Sequence, residues 1–370
     1  MRVLYGVAGE GMGHATRSRV VIEALVARGH EVQVVVSGRA HDYLKAREGE
    51  RLGVNRIWGL SIVYRDNAVK NVRTALQNLL GAVGGGWPRN IRAYFGLGED
   101  FRPDVVMSDF ESWSHLYGRV HGVPVISLDN IQIVNRCDHP PEILAGKRSQ
   151  YLVAKAVVKA KLPGCFHYLI GTFFRPRVSK PRTTLHPPVL RPEVLAARPD
   201  PGEHLLVYQT STSNPRLAEI LKGCGRECRV YGLRRDLTAD VRDDNLLWRP
   251  FDEVRFVEDL RTARGVVSGG GFTLMSEAVY LRRPMLSVPV KKQFEQILNA
   301  RYLETVGYGL ASDEITRERL GEFVERLPEF ERNLAGYRQD GNREMLAKLD
   351  EVLSAAAGRQ RAAVAQGRVS

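Results

Sequence analysis

The sequence predicts two α/β domains, each built on a doubly wound parallel sheet with helices on both faces. Apolar strand-like runs alternate with amphipathic helical runs in two successive series, which is the pattern of parallel strands joined by crossover helices. A proline-rich stretch separates the two series, and 370 residues are enough for two cores of ordinary size.

The first series predicts a domain over residues 1–185. Its strands are expected at 3–8, 32–37, 105–108 and 123–128, and its helices at 15–28, 40–47 and 111–121. Three glycines at 84–86 interrupt an otherwise helical pattern at 72–95, so a loop or lid is expected there.

The second series predicts a linker at 186–202 and a domain over 203–357. Its strands are expected at 204–208, 229–231, 246–248, 266–268 and 285–288, and its helices at 215–223, 252–262 and 329–356. The end of the chain, 358–370, is rich in Gly, Arg and Gln and is expected to be a frayed, disordered tail.

Composition indicates a globular chain, because 44% of its residues are hydrophobic and 26% are charged. No apolar run is long enough to span a membrane, and residues 2–8 read as a first strand rather than as a signal peptide. The cysteines match neither a zinc spacing nor a disulfide framework, so a reducing cytoplasm is the expected compartment. They are Cys137, Cys165, Cys224 and Cys228.

The formal net charge of +12 has two explanations. Either the composition is simply rich in arginine with a basic tail, or the surface attracts anionic ligands or an anionic membrane. A nucleic-acid partner is not expected, because no helix-turn-helix, zinc-finger or aromatic RNP pattern accompanies the charge.

The most specific pattern lies at 265–300 and begins with a glycine turn between a strand and a helix. Gly269, Gly270 and Gly271 lack the side chains that would keep a ligand from the backbone. The helix that starts at Phe272 or Thr273 presents unpaired N–H groups and the positive end of its dipole. Both features favour an anion such as phosphate.

Hydrogen-bonding side chains follow this turn. Glu277 lies about one turn inside the helix, where a carboxylate can accept hydrogen bonds from sugar hydroxyls. The later loop carries Gln293, Glu295, Gln296 and Asn299. A phosphate beside a polyol is what a nucleotide-sugar presents, so the segment predicts a nucleotide-sugar site.

These residues at these offsets resemble the donor-binding half of GT-B glycosyltransferases. The similar branch contains the peptidoglycan lipid-intermediate N-acetylglucosaminyltransferase and the macrolide and plant natural-product transferases. The resemblance implies two Rossmann-like domains facing a central cleft, with the helix after the glycines facing the donor diphosphate. It implies that Glu277 holds the ribose and that Glu295 and Gln296 grip the transferred sugar. No metal and no cofactor are expected, since GT-B enzymes generally need no metal and the nucleotide-sugar is a substrate.

A second glycine loop, at 9–14, follows the first strand and ends at His14. Its G-x-G-x-G spacing is not the dinucleotide fingerprint, and no Gly-Lys-Ser/Thr follows to make a Walker loop. Gly11, Gly13 and His14 resemble the N-terminal loop of GT-B transferases, which borders the diphosphate. In natural-product members the histidine of this loop is the general base. His14 is therefore either the base that deprotonates the acceptor, or a helix cap or phosphate contact.

Asp109 ends another strand of the first domain, at the carboxyl edge where α/β sites form. The resemblance implies that Asp109 orients His14 and stabilises its charged form, with Glu111 in reserve. The alternative is that Asp109 caps the helix at 111–121. Arg17 and Arg19 either touch a phosphate or lie on a solvated helix face.

Two further segments are candidate donor contacts. Thr210 and Ser211 belong to a hydroxyl-rich turn that holds a phosphate, as the resemblance favours, or that caps the next helix through Ser213 or Asn214. Phe251 follows a strand at the place where family members pair with the base edge, and is alternatively a core residue. A uracil or thymine base is expected.

The implied function is a metal-independent, inverting glycosyltransferase that moves a sugar from a UDP- or dTDP-sugar to a lipid-linked, glycan or small-molecule acceptor. Basic and apolar residues are mixed at 147–161. This stretch either rests on an anionic membrane at its inner face or is a solvated amphipathic helix. Two alternatives remain open: a nucleotide-sugar hydrolase, which the G-x-G-H-x-x-R pattern at 11–17 also resembles, and a non-catalytic nucleotide-sugar-binding module.

Overall fold

The computed structural model describes residues 1–9, 11–58, 101–210 and 214–362 in full, and the backbone alone at 64–65, 68–69 and 363–365. Three predictions fall outside the described residues: the loop or lid at 84–86, the phosphate contact at Ser211 and the cap at Ser213.

The first half contains a seven-stranded sheet whose neighbouring strands are all parallel. Its early strands are β1 (Arg2–Val7), β2 (Glu31–Val36) and β3 (Leu52–Arg56), and two-residue strands β4 (Tyr64–Arg65) and β5 (Ala68–Val69) form a separate antiparallel pair. The later strands are β6 (Val105–Asp109), β7 (Val125–Asp129), β8 (His167–Gly171) and β9 (Thr183–His186). The strand order is β3-β2-β1-β6-β7-β8-β9. Every residue of β6 and β7 is buried, as expected for parallel strands covered on both faces.

The helices of this part of the chain cover both faces of the sheet, and the last of them follows the crossing to the second half. They are α1 (Met12–Ala27), α2 (Ala40–Lys45), α3 (Ser112–Val120), α4 (Ile133–Arg136), α5 (Pro141–Leu144), α6 (Arg148–Lys161) and α7 (Pro192–Ala196). The predicted helices of this half are confirmed to within a few residues at their ends.

The second half contains another seven-stranded sheet, parallel except for one antiparallel pair at its edge. Its strands are β10 (Leu205–Tyr208), β11 (Cys228–Tyr231), β12 (Val241–Asp243), β13 (Leu246–Trp248), β14 (Gly265–Ser268), β15 (Met285–Ser287) and β16 (Gly309–Ala311). The strand order is β12-β13-β11-β10-β14-β15-β16. Its helices are α8 (Leu217–Lys222), α9 (Glu253–Thr262), α10 (Phe272–Tyr280), α11 (Phe294–Thr305) and α12 (Arg317–Leu334), and a last helix, α13 (Arg343–Ala365), follows.

Each sheet reverses its winding direction beside its first strand, which creates a crevice at the carboxyl ends of two strands. In the first sheet β1 lies between β2 and β6, and in the second β10 lies between β11 and β14. Chain segments leave such neighbouring strands in opposite directions, so ligands of open α/β sheets bind there. Four of the predicted site segments follow β1, β6, β10 and β14, and the other two follow β13 and β15. The winding order therefore places the first four at the two crevices.

The helical prediction at 329–356 and the frayed end at 358–370 need correction. The chain forms two helices, with a break at 335–342 where Asn342 adopts a left-handed φ of 72°. Helix α13 continues through Ala365, so residues 358–365 are helical. It packs on the first sheet, where Leu349, Leu353 and Ala356 join the same core as Val3 and Met107. The last helix thus belongs structurally with the first half.

The chain crosses between the two halves near Leu190 and again near Asn342, and hydrogen bonds join these two segments. The side-chain oxygen of Asn342 accepts a hydrogen bond from the Leu190 N–H at 2.9 Å, and its amide donates to the Leu190 carbonyl oxygen at 2.7 Å. Asn342 is 4% exposed, so both bonds are shielded from water.

Aromatic contacts also join the halves along one side. The ring of Phe173 stacks on Phe272 at 5.8 Å between centroids, and that of Phe174 stacks on Tyr302 at 4.1 Å. These side chains share one buried cluster drawn from both halves, so the halves are packed together beside the crevices.

Candidate active site

His14 and Asp109 meet at the crevice of the first sheet. His14 lies in the first turn of α1 and Asp109 is the last residue of β6, and 2.8 Å separates the imidazole Nδ1 from the carboxylate Oδ1. Arg17, one turn further along α1, donates to the same oxygen, and the Ser18 hydroxyl donates to Oδ2 at 2.9 Å. The Asp109 side chain is fully buried, whereas 19% of the His14 side chain is exposed. The imidazole is therefore accessible while its partner is not.

The charge state of Asp109 fixes the tautomer of His14. Burial raises the pKa of Asp109, but the positive charges of Arg17 and His14 lower it by more, to about 2. An ionised carboxylate only accepts hydrogen bonds, so the contact with Nδ1 requires a proton on that nitrogen. In the neutral imidazole, the Nε2 atom then carries the lone pair, which is the form a general base needs.

The helix-cap interpretations of Asp109 and His14 are wrong. Helix α3 has Glu111 as its N-cap, and the Glu111 carboxylate accepts from two first-turn N–H groups at 2.6 and 2.7 Å. Glu111 is therefore engaged as a cap and is not a reserve partner of His14. The N-cap of α1 is Gly11, at a φ of 83° that favours glycine.

The solvated-face interpretation of Arg17 and Arg19 is also wrong. Arg17 and Arg19 are 7% and 5% exposed. Arg17 is paired with Asp109, and Arg19 donates to both oxygens of Glu193 at 2.8 and 2.6 Å. Buried arginines of this kind are held by carboxylates because an unpaired buried charge is costly.

Gly13 and Thr273 bring the loop of His14 against the start of α10. The Thr273 hydroxyl donates to the Gly13 carbonyl oxygen at 3.1 Å. A Cβ on residue 13 would lie 2.8 Å from that hydroxyl oxygen. This close approach between the halves therefore requires glycine at position 13.

The glycine turn before α10 serves packing at one position and access at another. A Cβ on Gly270 would lie 2.4 Å from the Gln296 carbonyl oxygen, whereas a Cβ on Gly271 would meet nothing within 4 Å. Gly271 is the N-cap of α10 and supplies no side-chain cap to the first-turn N–H groups. The Phe272 ring is buried against Phe173, so this residue offers a ligand its backbone only.

Glu277 is buried and held by an arginine from the predicted linker. Arg191 donates to its two carboxylate oxygens at 2.8 and 3.0 Å, and Glu277 is 2% exposed. Burial raises the pKa of Glu277, and the charge of Arg191 lowers it again in part. The ribose contact implied for Glu277 stays a prediction, with Arg191 as an established partner.

The remaining polar residues of the 265–300 segment gather at the start of α11. Gln293 directly precedes the helix, and Glu295 and Gln296 lie in its first turn. The Gln296 side-chain oxygen accepts from the Val290 N–H at 3.0 Å, which fixes the loop before the helix. Burial raises the pKa of Glu295, while the charges of His14 and Arg17 across the cleft act to lower it. Gly269 approaches this group, since a Cβ there would lie 3.5 Å from the Gln296 amide oxygen.

Thr210 and Phe251 lie at the same edge of the second sheet. Thr210 is exposed after β10. Helix α8 has Arg216, not Asn214, at its N-cap position, although Asn214 accepts from the Arg216 N–H at 3.1 Å. Phe251 is 61% exposed, with its ring 5.6 Å from that of Phe256. The core interpretation of Phe251 is therefore wrong.

Comparisons with known proteins agree with this geometry. The family model described as "Glycosyl transferase family 1" matches residues 1–328. The chain belongs to this family. It is a glycosyltransferase, and it has the GT-B architecture of two parallel-sheet α/β domains that the sequence predicted.

Three similar proteins illustrate the match. An uncharacterized glycosyltransferase of Methanosarcina mazei is 24% identical over 84% of this chain and 85% of its own length. The UDP-N-acetylglucosamine–N-acetylmuramyl-(pentapeptide) pyrophosphoryl-undecaprenol N-acetylglucosamine transferase of Rhodospirillum rubrum is 25% identical over 95% of this chain and 91% of its own. The solved Phytolacca americana UGT2, complexed with UDP-2fluoro-glucose and pterostilbene, has a TM-score of 0.66 at 14% identity and covers 95% of this chain and 98% of its own.

Three buried charged side chains at the candidate site of this glycosyltransferase were not predicted from the sequence as members of its network of interacting charges. Arg17 was not identified as a partner of Asp109, although its spacing of three from His14 puts both on one helix face. Asp129 ends β7 beside β6, and burial together with the negative charge of Asp109 raises its pKa to about 6. Its place at a strand's carboxyl end was a usable signal. Arg191 carried no local signal, because its partner lies 86 residues away.

In the described part of this glycosyltransferase, no group of three or more His, Cys, Asp or Glu side chains is arranged to hold a metal ion. No helix there combines the length and apolar character needed to cross a bilayer.

Proposed function

We propose that this family 1 glycosyltransferase moves a sugar from a UDP- or dTDP-sugar to an acceptor, without a metal and with inversion at the anomeric carbon. The observation that carries the proposal is the contact between His14 and Asp109 beside the start of α10. The hydrogen bond from Thr273 to Gly13 puts the loop of the base against the helix start that suits a diphosphate.

The donor occupies the crevice of the second sheet. Its diphosphate lies at the first turn of α10, next to the exposed Thr210, and its base lies at the exposed ring of Phe251. Glu277 accepts from the ribose, and the pair Glu295 and Gln296 binds the transferred sugar. A UDP-sugar donor is supported by the name of the Rhodospirillum rubrum relative and by the ligand of the Phytolacca americana structure.

The reaction is a single displacement at the anomeric carbon. The acceptor oxygen bonds to that carbon while His14 Nε2 takes its proton, and the bond to the leaving phosphate oxygen breaks with its electrons staying on the nucleotide diphosphate. Asp109, ionised and buried, stabilises the imidazolium that forms. The first-turn N–H groups of α10 stabilise the growing charge of the diphosphate. Attack opposite the leaving group inverts the configuration.

A lipid-linked acceptor at the inner face of an anionic membrane fits the surface of the first half. Helix α6 exposes Leu152, Val153 and Val157, and α3 exposes Leu116 and Val120. The two helices are neighbours, because a ring nitrogen of the α3 histidine lies 2.8 Å from the carbonyl oxygen of the proline at 163, just after α6. Helix α6 and the residue before it also carry five basic side chains: Lys147, Arg148, Lys155, Lys159 and Lys161. Apolar and basic side chains on one face are typical of helices that lie on anionic membranes.

The first experiment measures ligand-induced thermal shifts and nucleotide release with a panel of UDP- and dTDP-sugars in the absence of acceptor. It compares the wild type with His14→Ala and with His30→Ala, a half-buried control before β2. We expect one donor to raise the melting temperature of all three proteins, with only slow release of its nucleotide. When an acceptor extract is added, only His14→Ala should fail to turn over.

Other results would contradict the proposal in distinct ways. Rapid release of free sugar and nucleotide without acceptor identifies a hydrolase. Donor binding with no turnover by the wild type under any acceptor condition identifies a binding module. If no nucleotide-sugar raises the melting temperature, the proposed donor site is wrong.

A further inference from the structure

Arg191 donates three hydrogen bonds to carboxylates and has no contact with His14 or Asp109 among the hydrogen bonds described above. It comes from the segment that joins the two sheets and is 7% exposed. Besides its two bonds to Glu277, it donates to Glu253 at 2.8 Å. One guanidinium therefore joins two carboxylates that belong to different helices of the second half, α10 and α9.

These carboxylates belong to the two helices that follow the candidate sites for the base and the diphosphate. Glu253 is the first residue of α9, two residues after Phe251, and Glu277 is on the helix whose first turn suits the diphosphate. The ribose of a nucleotide diphosphate lies between its base and its phosphates. Arg191 is thus placed where it can fix the orientation of a group that meets the ribose.

The geometry leaves Glu277 able to accept more hydrogen bonds. Each carboxylate oxygen has two lone-pair directions, and Arg191 uses one on each oxygen. In the proposed donor complex, ribose hydroxyls donate to the others while the guanidinium keeps its place. Held from two points, the carboxylate loses little further freedom when the ribose arrives, which favours binding.

The charged chain continues into the first half. Arg19 of α1 binds Glu193, two residues after Arg191, through both carboxylate oxygens and lies 4.0 Å from Glu253. Helix α1 also carries His14 in its first turn. The helix of the proposed base and the carboxylate of the proposed ribose contact are thus linked through two arginines.

We propose that Arg191 is a positioning residue that orients Glu277 towards the donor ribose and ties this carboxylate, through Glu253, Glu193 and Arg19, to the helix of His14. The inference rests on the proposed function, because it assumes a nucleotide diphosphate in the crevice of the second sheet. It adds a residue from the joining segment to the donor site.

The test compares two ligands that differ only in the ribose hydroxyls. Dissociation constants are measured by calorimetry for UDP and for 2′,3′-dideoxy-UDP, and the quantity of interest is their ratio. Hydrogen bonds to a charged group predict a ratio of at least about 10 in the wild type. We expect Arg191→Gln to reduce the ratio to about 3 or less, as Glu277→Gln should, and Arg191→Lys to give an intermediate value.

Arg198→Gln is the matched control, since it changes an exposed arginine of the same segment and should leave the ratio at its wild-type value. Arg19→Gln, which is remote from the ligand, should reduce the ratio by about 2–3-fold. Thermal midpoints of all variants are recorded, but the ratio compares two ligands on one protein and is insensitive to stability.

The outcomes separate the inference from the function on which it rests. A wild type that binds neither UDP nor dTDP overturns the proposed function. A wild type that discriminates between the ligands, with Arg191→Gln discriminating equally well, overturns the positioning role alone. Tighter binding of UDP to Arg191→Gln also overturns it, since Arg191 would then obstruct the ribose.

Discussion

The substitution Asp109→Asn tests the electrostatics at the centre of the site. It keeps the shape of the side chain but leaves the buried Arg17 without its anionic partner and Nδ1 of His14 without a charged acceptor. Breaking a buried ion pair from one side costs about 3 kcal/mol or more at neutral pH. We expect the free energy of unfolding to fall by that amount. Urea unfolding, followed by the fluorescence of the four tryptophans, measures it.

The pH dependence of this loss identifies its cause. The pKa of Asp109 in the folded protein, about 2, lies below its ordinary value of 3.8. The stabilisation is therefore complete well above pH 4 and is lost as the pH falls towards 2. The difference between the two values corresponds to about 2.5 kcal/mol, of which about 1 kcal/mol is gone at pH 3.

The difference in the free energy of unfolding between the wild type and Asp109→Asn should therefore decrease by about 1 kcal/mol between pH 6 and pH 3. Substitution of the exposed Asp244 by Asn serves as the control and should show no such decrease. A difference that stays constant over this range would refute the ion pair as the source of the stability.

Three further predictions follow from individual side chains. His14→Ala should lower turnover by about 10²–10⁴-fold while the Kd of the nucleotide changes by less than about 3-fold, because a base acts after binding; steady-state kinetics and calorimetry check this. Phe251→Ala should weaken nucleotide binding by about 10-fold, since its ring is 61% exposed at the base site, with an unchanged melting temperature. Phe174→Ala should lower the free energy of unfolding by about 3–5 kcal/mol, because the ring is 2% exposed and stacks on Tyr302; an unchanged urea midpoint would contradict this.

Much of the fold was predictable because it depends on local patterns. Alternating apolar strands and amphipathic helices give the two parallel sheets, and the winding order then puts the loops of His14, Asp109 and Gly271 at the crevices. The contact of His14 with Asp109 follows from neighbouring strands, since Val7 pairs with Asp109 in the register of β1 and β6.

What could not be predicted depends on contacts between distant segments. Arg191 looked like part of a linker, and only the folded chain brings it to Glu277. The alternative that Asp109 caps α3 placed the cap two residues too early, because Asp is a preferred N-cap type and Glu, which caps the helix here, is not. The last helix was expected to belong to the second half, since its packing on the first sheet cannot be read from its own composition.

The paired crossings at Leu190 and Asn342 make the second half an insertion within the first. The first half consists of the chain up to Leu190 together with α13. The segment between them leaves the first half and returns to it at one place, where Leu190 and Asn342 are hydrogen-bonded. An exchange of donor specificity between related enzymes therefore needs two splice junctions, one on each side of this hydrogen-bonded pair. A chimera joined at a single junction would combine the last helix of one parent with the sheet of the other, and its first core would be mismatched.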